Sequence, residues 1–249
     1  MPSIDLVSPI VRILLFIVVL TVIELIIPFR KMSPFSWQRV TLNLTLTLFT
    51  VLLFTVCFAG IVVAAREING GGKSIMSTLA LPLALQLIVA IVLLDGATYL
   101  AHVLLHKIPW FWRLHKIHHA DSVVDVTTSF RQHPLEALIR IGFLALPILL
   151  FGIPLVAVGI YRLLSSINAL LEHSNVYTPL WLDHLVSTIW VSPRMHKIHH
   201  SQLAQETDSN YGNLLALYDR LFRTFTPVHR SDSITYGLEP VKTSPVATD

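Results

Sequence analysis

The sequence predicts an all-α fold: an integral membrane helical bundle of three spans plus a helical hairpin, topped by a histidine-rich cytoplasmic cap. Three observations carry this. Hydrophobic residues make up 53% of the chain and charged residues only 13%, whereas a soluble domain carries about a quarter. Several uncharged runs reach the roughly 20 residues that cross a bilayer. Histidine, at 12 residues, is bunched at the ends of those runs instead of being scattered. The net charge of +3 lies in short loops between apolar runs, which reads as membrane topology and not as a nucleic-acid footprint. The lone cysteine, Cys57, sits inside an apolar run. A disulfide framework and a cysteine-based zinc site are therefore excluded.

Residues 10–29 form the first apolar run. It has no small-residue cleavage site and ends in Pro28-Phe29-Arg30-Lys31, so it reads as an uncleaved anchor. Glu24 is expected to reach the interface beside Arg30 and Lys31. Residues 41–65 carry no charge and form the second span. Asn43-Leu44-Thr45 matches a glycosylation acceptor, but its place at a membrane boundary makes it a chance match. Gly70-Gly71-Gly72-Lys73-Ser74 resembles the tail of a phosphate loop but lacks the leading glycine and strand, so it reads as a flexible turn. The third helix starts at 79 and continues through His106. Basic residues in the first loop (Arg30, Lys31, Arg39) and after the third span (Lys107, Arg113, Lys116, Arg131) place both regions in the cytoplasm.

Residues 135–172 are apolar again, broken by Pro147, Gly152 and Pro154. One crossing would strand His173 on the far side from His102. Two helices of about 17 residues, each about 25 Å long, can instead enter and return, turning at Gly152-Ile153-Pro154. Arg162, Ser165, Ser166 and Asn168 make the returning half polar, so it is expected to rise into the cap, where those groups find partners. Residues 177–190 read as an interfacial segment. Ser192-Pro193 reads as a helix N-cap with proline at the first helical position. The organisation is then an N-terminal transmembrane anchor region at 1–78, a domain with embedded membrane helices at 79–230, and a polar C-terminal tail at 231–249.

His102 and His106 stand four apart. His115, His118 and His119 share the pentapeptide His-Lys-Ile-His-His with His196, His199 and His200. Residues three or four apart share a helix face, so each group is expected to aim its rings at one point. His173 completes a set of nine. Nine imidazoles exceed what one metal holds and suit two ions with open positions for water or oxygen. Iron, copper, zinc and nickel all accept neutral imidazole. Asp95, seven residues before His102 on the same face, is expected to accept a hydrogen bond from a ligand's second ring nitrogen. His184 and His229 share no spacing pattern and read as ordinary polar residues.

This pattern resembles the fatty acid hydroxylase superfamily, also called the sterol desaturase family, of membrane di-iron oxygenases. The three histidine boxes match. So do Asp95 and Tyr99 before the first box, and Trp112-Arg113 before the second. Arg131-Gln132-His133-Pro134-Leu135-Glu136 is similar to the family's Arg-x-His-Pro-x-Glu signature. Glu172-His173-Ser174-Asn175 resembles its His-x-Asn element. Asn210-Tyr211-Gly212 and Asp219-Arg220-Leu221-Phe222 resemble its closing run. Tyr218 stands where tryptophan is usual, and Arg223 where glycine is usual. The resemblance spans about residues 90–225.

It implies two iron ions, with zinc as a possible substitute, held by His102, His106, His115, His118, His119, His173, His196, His199 and His200. It also implies hydroxylation or desaturation of an unactivated C–H bond in a lipid or sterol-like substrate, using O2 and external electrons. Asp95, His133, Glu136 and Asn175 are the residues expected around the ligands, Asn175 reaching one metal directly or through water. Their bland alternative is helix capping and interface solvation. No haem, flavin or dinucleotide motif is visible, so electrons are expected from outside the chain; the resemblance implies a cytochrome b5-type or ferredoxin-type donor, with Lys107, Lys116 and Lys197 as its expected basic docking face. A bacterial inner membrane is favoured over an endoplasmic reticulum membrane. Two other readings are carried: a metal-dependent lipid hydrolase, separated by oxygen dependence, and a metal transporter or sensor, which would carry ligands at the bilayer midplane.

Overall fold

The computed structural model describes residues 7–31, 36–69, 74–79 and 81–238. The predicted turn at 70–73 and the tail from 239 onward lie outside the described residues. The molecule is all-helical, and among the described residues strand pairing is confined to isolated bridges such as Pro28 with Val176. Helix α1 (Val7–Ile26) is followed by α2 (Trp37–Asn69), the short α3 (Ile75–Thr78) and α4 (Leu83–Lys107). Helix α5 (Pro109–His119) and a 3-10 helix (Val126–Phe130) lead into α6 (Pro134–Phe151) and α7 (Leu155–His173). Helices α8 (Leu180–Val186), α9 (Pro193–His199), α10 (Ala204–Thr207) and α11 (Leu217–Leu221), then a second 3-10 helix (Val228–Ser233), complete the cap.

Among the described residues four helices, α2, α4, α6 and α7, are long and apolar enough to cross a membrane. Their outward faces, such as Leu48, Leu52 and Val56 on α2, are exposed apolar surface, as contact with lipid requires. The inward faces pack a core of Ala90, Leu94, Leu144, Ile148, Val158 and Tyr161. Helices α6 and α7 form the predicted hairpin. Gly152 ends α6 with φ 65°, a left-handed conformation that glycine takes without a Cβ clash. The C-terminal end of α4, α5, the C-terminal end of α7 and α9 therefore gather at one end of the bundle.

At 33 residues, α2 is about 50 Å long and outreaches the roughly 30 Å hydrocarbon layer. Its N-terminal turns enter the cap. Arg39 binds Asp121 at 2.9 Å and Asp125 at 2.7 Å. Thr47 and Thr50 donate to the carbonyls of Phe130 and Gln132. Asn43, the chance glycosylation match, is buried and donates to Thr127 Oγ1 at 3.2 Å. Glu24 does not reach an aqueous interface. It is buried and accepts the backbone N–H of Val126 at 2.8 Å and of Asn175 at 2.6 Å. The cause is local: two cap loops pass under the end of α1 with N–H groups that no helix or strand satisfies.

Candidate metal centre

Ring nitrogens of His102, His106, His115, His119 and His199 lie within 4.8 Å of one another, and those of His118, His173, His196 and His200 form a second such group. Both groups are built from several elements. Helix α4 gives two ligands to the first centre, α7 gives one to the second, and α5 and the α9 segment give to both. The expectation that each histidine box aims at one point is corrected here. Consecutive helical residues diverge by about 100°, so His118 turns away from His119 and His199 from His200. The doublets straddle the two centres, and the His119 and His200 rings stack at 4.6 Å as their shared wall.

The second nitrogen of four of the nine rings has a backbone carbonyl partner. His102 Nδ1 donates to the Tyr211 carbonyl at 2.8 Å, and His118 Nδ1 to that of Arg131 at 3.2 Å. His173 Nδ1 and His199 Nδ1 donate, each at 2.7 Å, to the carbonyls of Ala169 and Ser209. A carbonyl oxygen can only accept, so the proton sits on Nδ1 and Nε2 presents a lone pair. His118 Nε2 and His173 Nε2 nevertheless face each other at 3.1 Å. His196 Nε2 and His200 Nε2 lie 3.0 and 3.2 Å from the same His173 atom. In the first centre His115 Nε2 is 3.1 Å from His102 Nε2 and 3.2 Å from His119 Nε2. Converging lone pairs in a buried site repel unless a cation lies among them. The donor set therefore fits a bound metal at each centre, and all-imidazole ligation suits iron, copper, zinc and nickel alike. Burial holds His118, His119, His196, His199 and His200 well below the usual imidazole range, which keeps them neutral and able to coordinate.

Carboxylates flank both centres. Glu136 Oε1 lies 3.1 Å from His115 Nδ1 and accepts from Arg140 Nε at 2.7 Å. Glu172 Oε1 lies 3.8 Å from His196 Nε2, with its other oxygen accepting from Asn168 at 2.9 Å. At the solvent side Asp208 Oδ1 is 3.3 Å from His106 Nδ1. His106 and Lys107 together hold that carboxyl down at about 2.

Of the residues expected around the ligands, Glu136 is the one whose contacts reach a ligand ring. Asp95 does not accept from a histidine. Seven residues are about 10 Å along a helix axis, too far for its carboxylate to reach His102. It instead accepts the N–H groups of Leu214 and Leu215 at 3.0 and 2.9 Å, and Asn213 Nδ2 at 3.1 Å. His133 caps α6 by accepting the Leu135 N–H at 3.1 Å. Asn175 does not turn to a metal: its side-chain amide bonds both the N–H and the carbonyl of Arg30, at 3.0 and 2.9 Å. Lys197 is not on a basic face. It is fully buried, donates to the Ser174 carbonyl at 2.5 Å, and burial brings its pKa down to about 8. Lys107 and Lys116 are exposed.

Sequence reasoning missed the backbone carbonyls that orient the rings. Two of them, Tyr211 and Ser209, come from the 209–215 loop, which Asp219 organises by accepting the N–H groups of Tyr211 and Gly212, each at 2.8 Å. Burial raises Asp219 to about 6. The motif Asn210-Tyr211-Gly212 was the signal. A Cβ on Gly212 would sit 2.7 Å from Val191 Cγ2 and 2.9 Å from Asp219 Oδ2, so only glycine lets the loop close against Asp219.

Two cavities approach the paired centres. One of about 410 Å³ reaches His106 and His119 past Trp112, Gln202 and Asp208. The other, of about 360 Å³, lies between α2, α6 and α7 and reaches Thr98 and Ala169, one helical turn below His102 and His173.

A bundle of helices able to span a membrane, with two all-histidine clusters at one end that could each hold a metal ion, defines a membrane protein of the histidine-box class. The family model for fatty acid hydroxylases matches residues 87–224, more than half of the 249 residues. The chain belongs to the fatty acid hydroxylase family. It is 32% identical over 158 residues to ornithine lipid hydroxylase OlsE of Rhizobium tropici, covering 63% of this chain and 46% of that protein. It is 31% identical over 149 residues to alkylglycerol monooxygenase of Caenorhabditis elegans, covering 58% and 28%. It is 23% identical over 156 residues to cholesterol 25-hydroxylase of Rattus norvegicus, covering 62% and 51%. The matched region thus spans about half or less of these curated relatives. No solved structure matches.

Proposed function

We propose that this chain is an O2-dependent membrane oxidoreductase with two iron ions, hydroxylating an unactivated C–H bond of a lipid. The observation that carries the reading is the pair of histidine centres set between a cap-side cavity and a membrane-side cavity. Two irons held there supply the reductive activation of oxygen that the chemistry needs. His102, His106, His115, His119 and His199 would hold one, and His118, His173, His196 and His200 the other. The chain's own contribution is geometric. Carbonyls of Tyr211, Arg131, Ala169 and Ser209 fix the tautomers, Glu136 orients His115, and the membrane-side cavity holds one carbon of the substrate near the centres while excluding water. Relatives named as lipid hydroxylase and monooxygenases support the same class.

The basic loops of Arg30, Lys31, Lys107, Arg113 and Lys116 favour a cytoplasmic placement of the cap, and a bacterial relative favours an inner membrane. We further propose a cytochrome b5-type or ferredoxin-type donor at exposed Lys107 and Lys116. The test is turnover under ¹⁸O2 of lipid extracts with iron-loaded protein and reductant. Lipid gaining one ¹⁸O, and losing it in His118→Ala, is expected. Product whose oxygen comes from water would point to the hydrolase reading instead.

A further inference from the structure

The membrane-side cavity contains two cations. Arg162 lies on α7 eleven residues before His173, about 16 Å along the axis and within a span. Its guanidinium stacks over the Phe54 ring at 4.2 Å, and no carboxylate or other hydrogen-bond acceptor meets it among the described residues. Arg140 lines the same cavity. It spends its Nε on Glu136, and its terminal nitrogens have no partner among the described residues. The remaining wall mixes apolar side chains such as Leu144 with hydroxyls such as Ser166. A guanidinium held at membrane depth without a counter-charge is costly, and such residues face a cavity and await a partner. Arg140 already has the Glu136 carboxylate as counter-charge, but neutral lipid leaves the Arg162 charge uncompensated. A carboxylate or phosphate matches the planar fork of arginine.

We propose that this cavity binds the acidic group, carboxylate or phosphate, of an acyl-chain amphiphile through Arg162 and Arg140. The inference deepens the oxygenase reading and rests on it for one point only: that the occupant is the substrate. The acid would sit between α2, α6 and α7. The attached chain would run past Thr98 and Ala169 toward the metal ligands.

Binding is measured on the protein as purified in neutral detergent, without reductant, so that turnover does not enter. The probes are dodecanoate, dodecyl phosphate, dodecanol and inorganic phosphate, each followed by native mass spectrometry. Both acidic amphiphiles are expected to bind about tenfold or more tightly than dodecanol, the scale of one lost charge-assisted hydrogen bond. Arg162→Gln is expected to abolish that preference with dodecanol binding unchanged, and Arg162→Lys to restore part of it. Equal affinities of the wild-type protein for dodecanoate, dodecyl phosphate and dodecanol would overturn the proposal, whether or not the variants fold. So would a preference that survives Arg162→Gln. Inorganic phosphate binding as tightly as dodecyl phosphate would refute the lipid as source. Acid-selective binding in a protein that fails the ¹⁸O2 test would sink the oxygenase reading and leave this one standing.

Discussion

His118 and His119 are neighbours in the chain and ligands of different centres, and that separation can be tested one ring at a time. His118→Ala removes one of four donors from its centre and none from the other. Metal analysis should fall from about two ions per chain to about one, because four imidazoles complete a site that three leave weak. Retention of both ions would contradict the grouping. Glu136→Gln keeps the size of the side chain and removes the charge facing His115 Nδ1. Iron affinity should drop about 10- to 100-fold, as loss of an orienting partner typically costs; a chelator competition curve reads it directly. Arg223 is a separate case. Its φ of 59° places a non-glycine residue in the left-handed region, at the position where the family pattern has glycine. Its side chain is exposed, so Arg223→Gly should stabilise the protein by about 1 kcal/mol. A melting temperature that falls would show that the arginine makes a contact worth more than the strain.

Among the elements, the 209–215 loop and α11 do most to hold the rings in register. Gly212→Ala forces a methyl against Val191 and Asp219, so the Tyr211 carbonyl moves and His102 loses its partner. A loss of most first-centre metal with the helical content unchanged is the expected result, read by metal analysis beside circular dichroism. At this scale the sequence was informative wherever a signal is local. The Ser192-Pro193 start of α9 is observed, with Ser192 Oγ accepting from Met195 N and Pro193 in the first turn. The Gly152 hairpin and the four histidine segments were equally readable, since each rests on spacing within a few residues. Contacts between distant segments were not. Glu24 meets Asn175 across 151 positions, and Asp95 meets Leu215 across 120. No periodicity encodes such pairs. The same limit explains why Lys197 was read as a surface charge: its pentapeptide neighbours say nothing about Phe29 and Ser174, which enclose it.

For the molecule as a whole, metal and protons compete for the same lone pairs. The imidazoles of His118, His119, His196, His199 and His200 are depressed by burial in the folded chain and ordinary in the unfolded one, so protons bind preferentially to the unfolded state. The sign follows: metal-stripped protein keeps full stability above about pH 6.5 and loses it as pH falls below that value, by up to about 1.4 kcal/mol per pH unit for each ring. Chemical denaturation in detergent between pH 8 and pH 5 should show this slope, and a flat profile would mean that the rings are already solvated. Iron at a hundredfold excess over its dissociation constant should add about 2.7 kcal/mol, since the ligands bind α4, α5, α7 and α9 together.

The buried carboxylate of Glu24 has a practical consequence for anyone shortening this protein. Because α1 closes two backbone donors of the cap, Val126 and Asn175, this first apolar helix is no detachable tether. A truncated form starting at Ser36 would open a polar wound beneath the histidine clusters, and its yield after membrane extraction should collapse even though every histidine is retained.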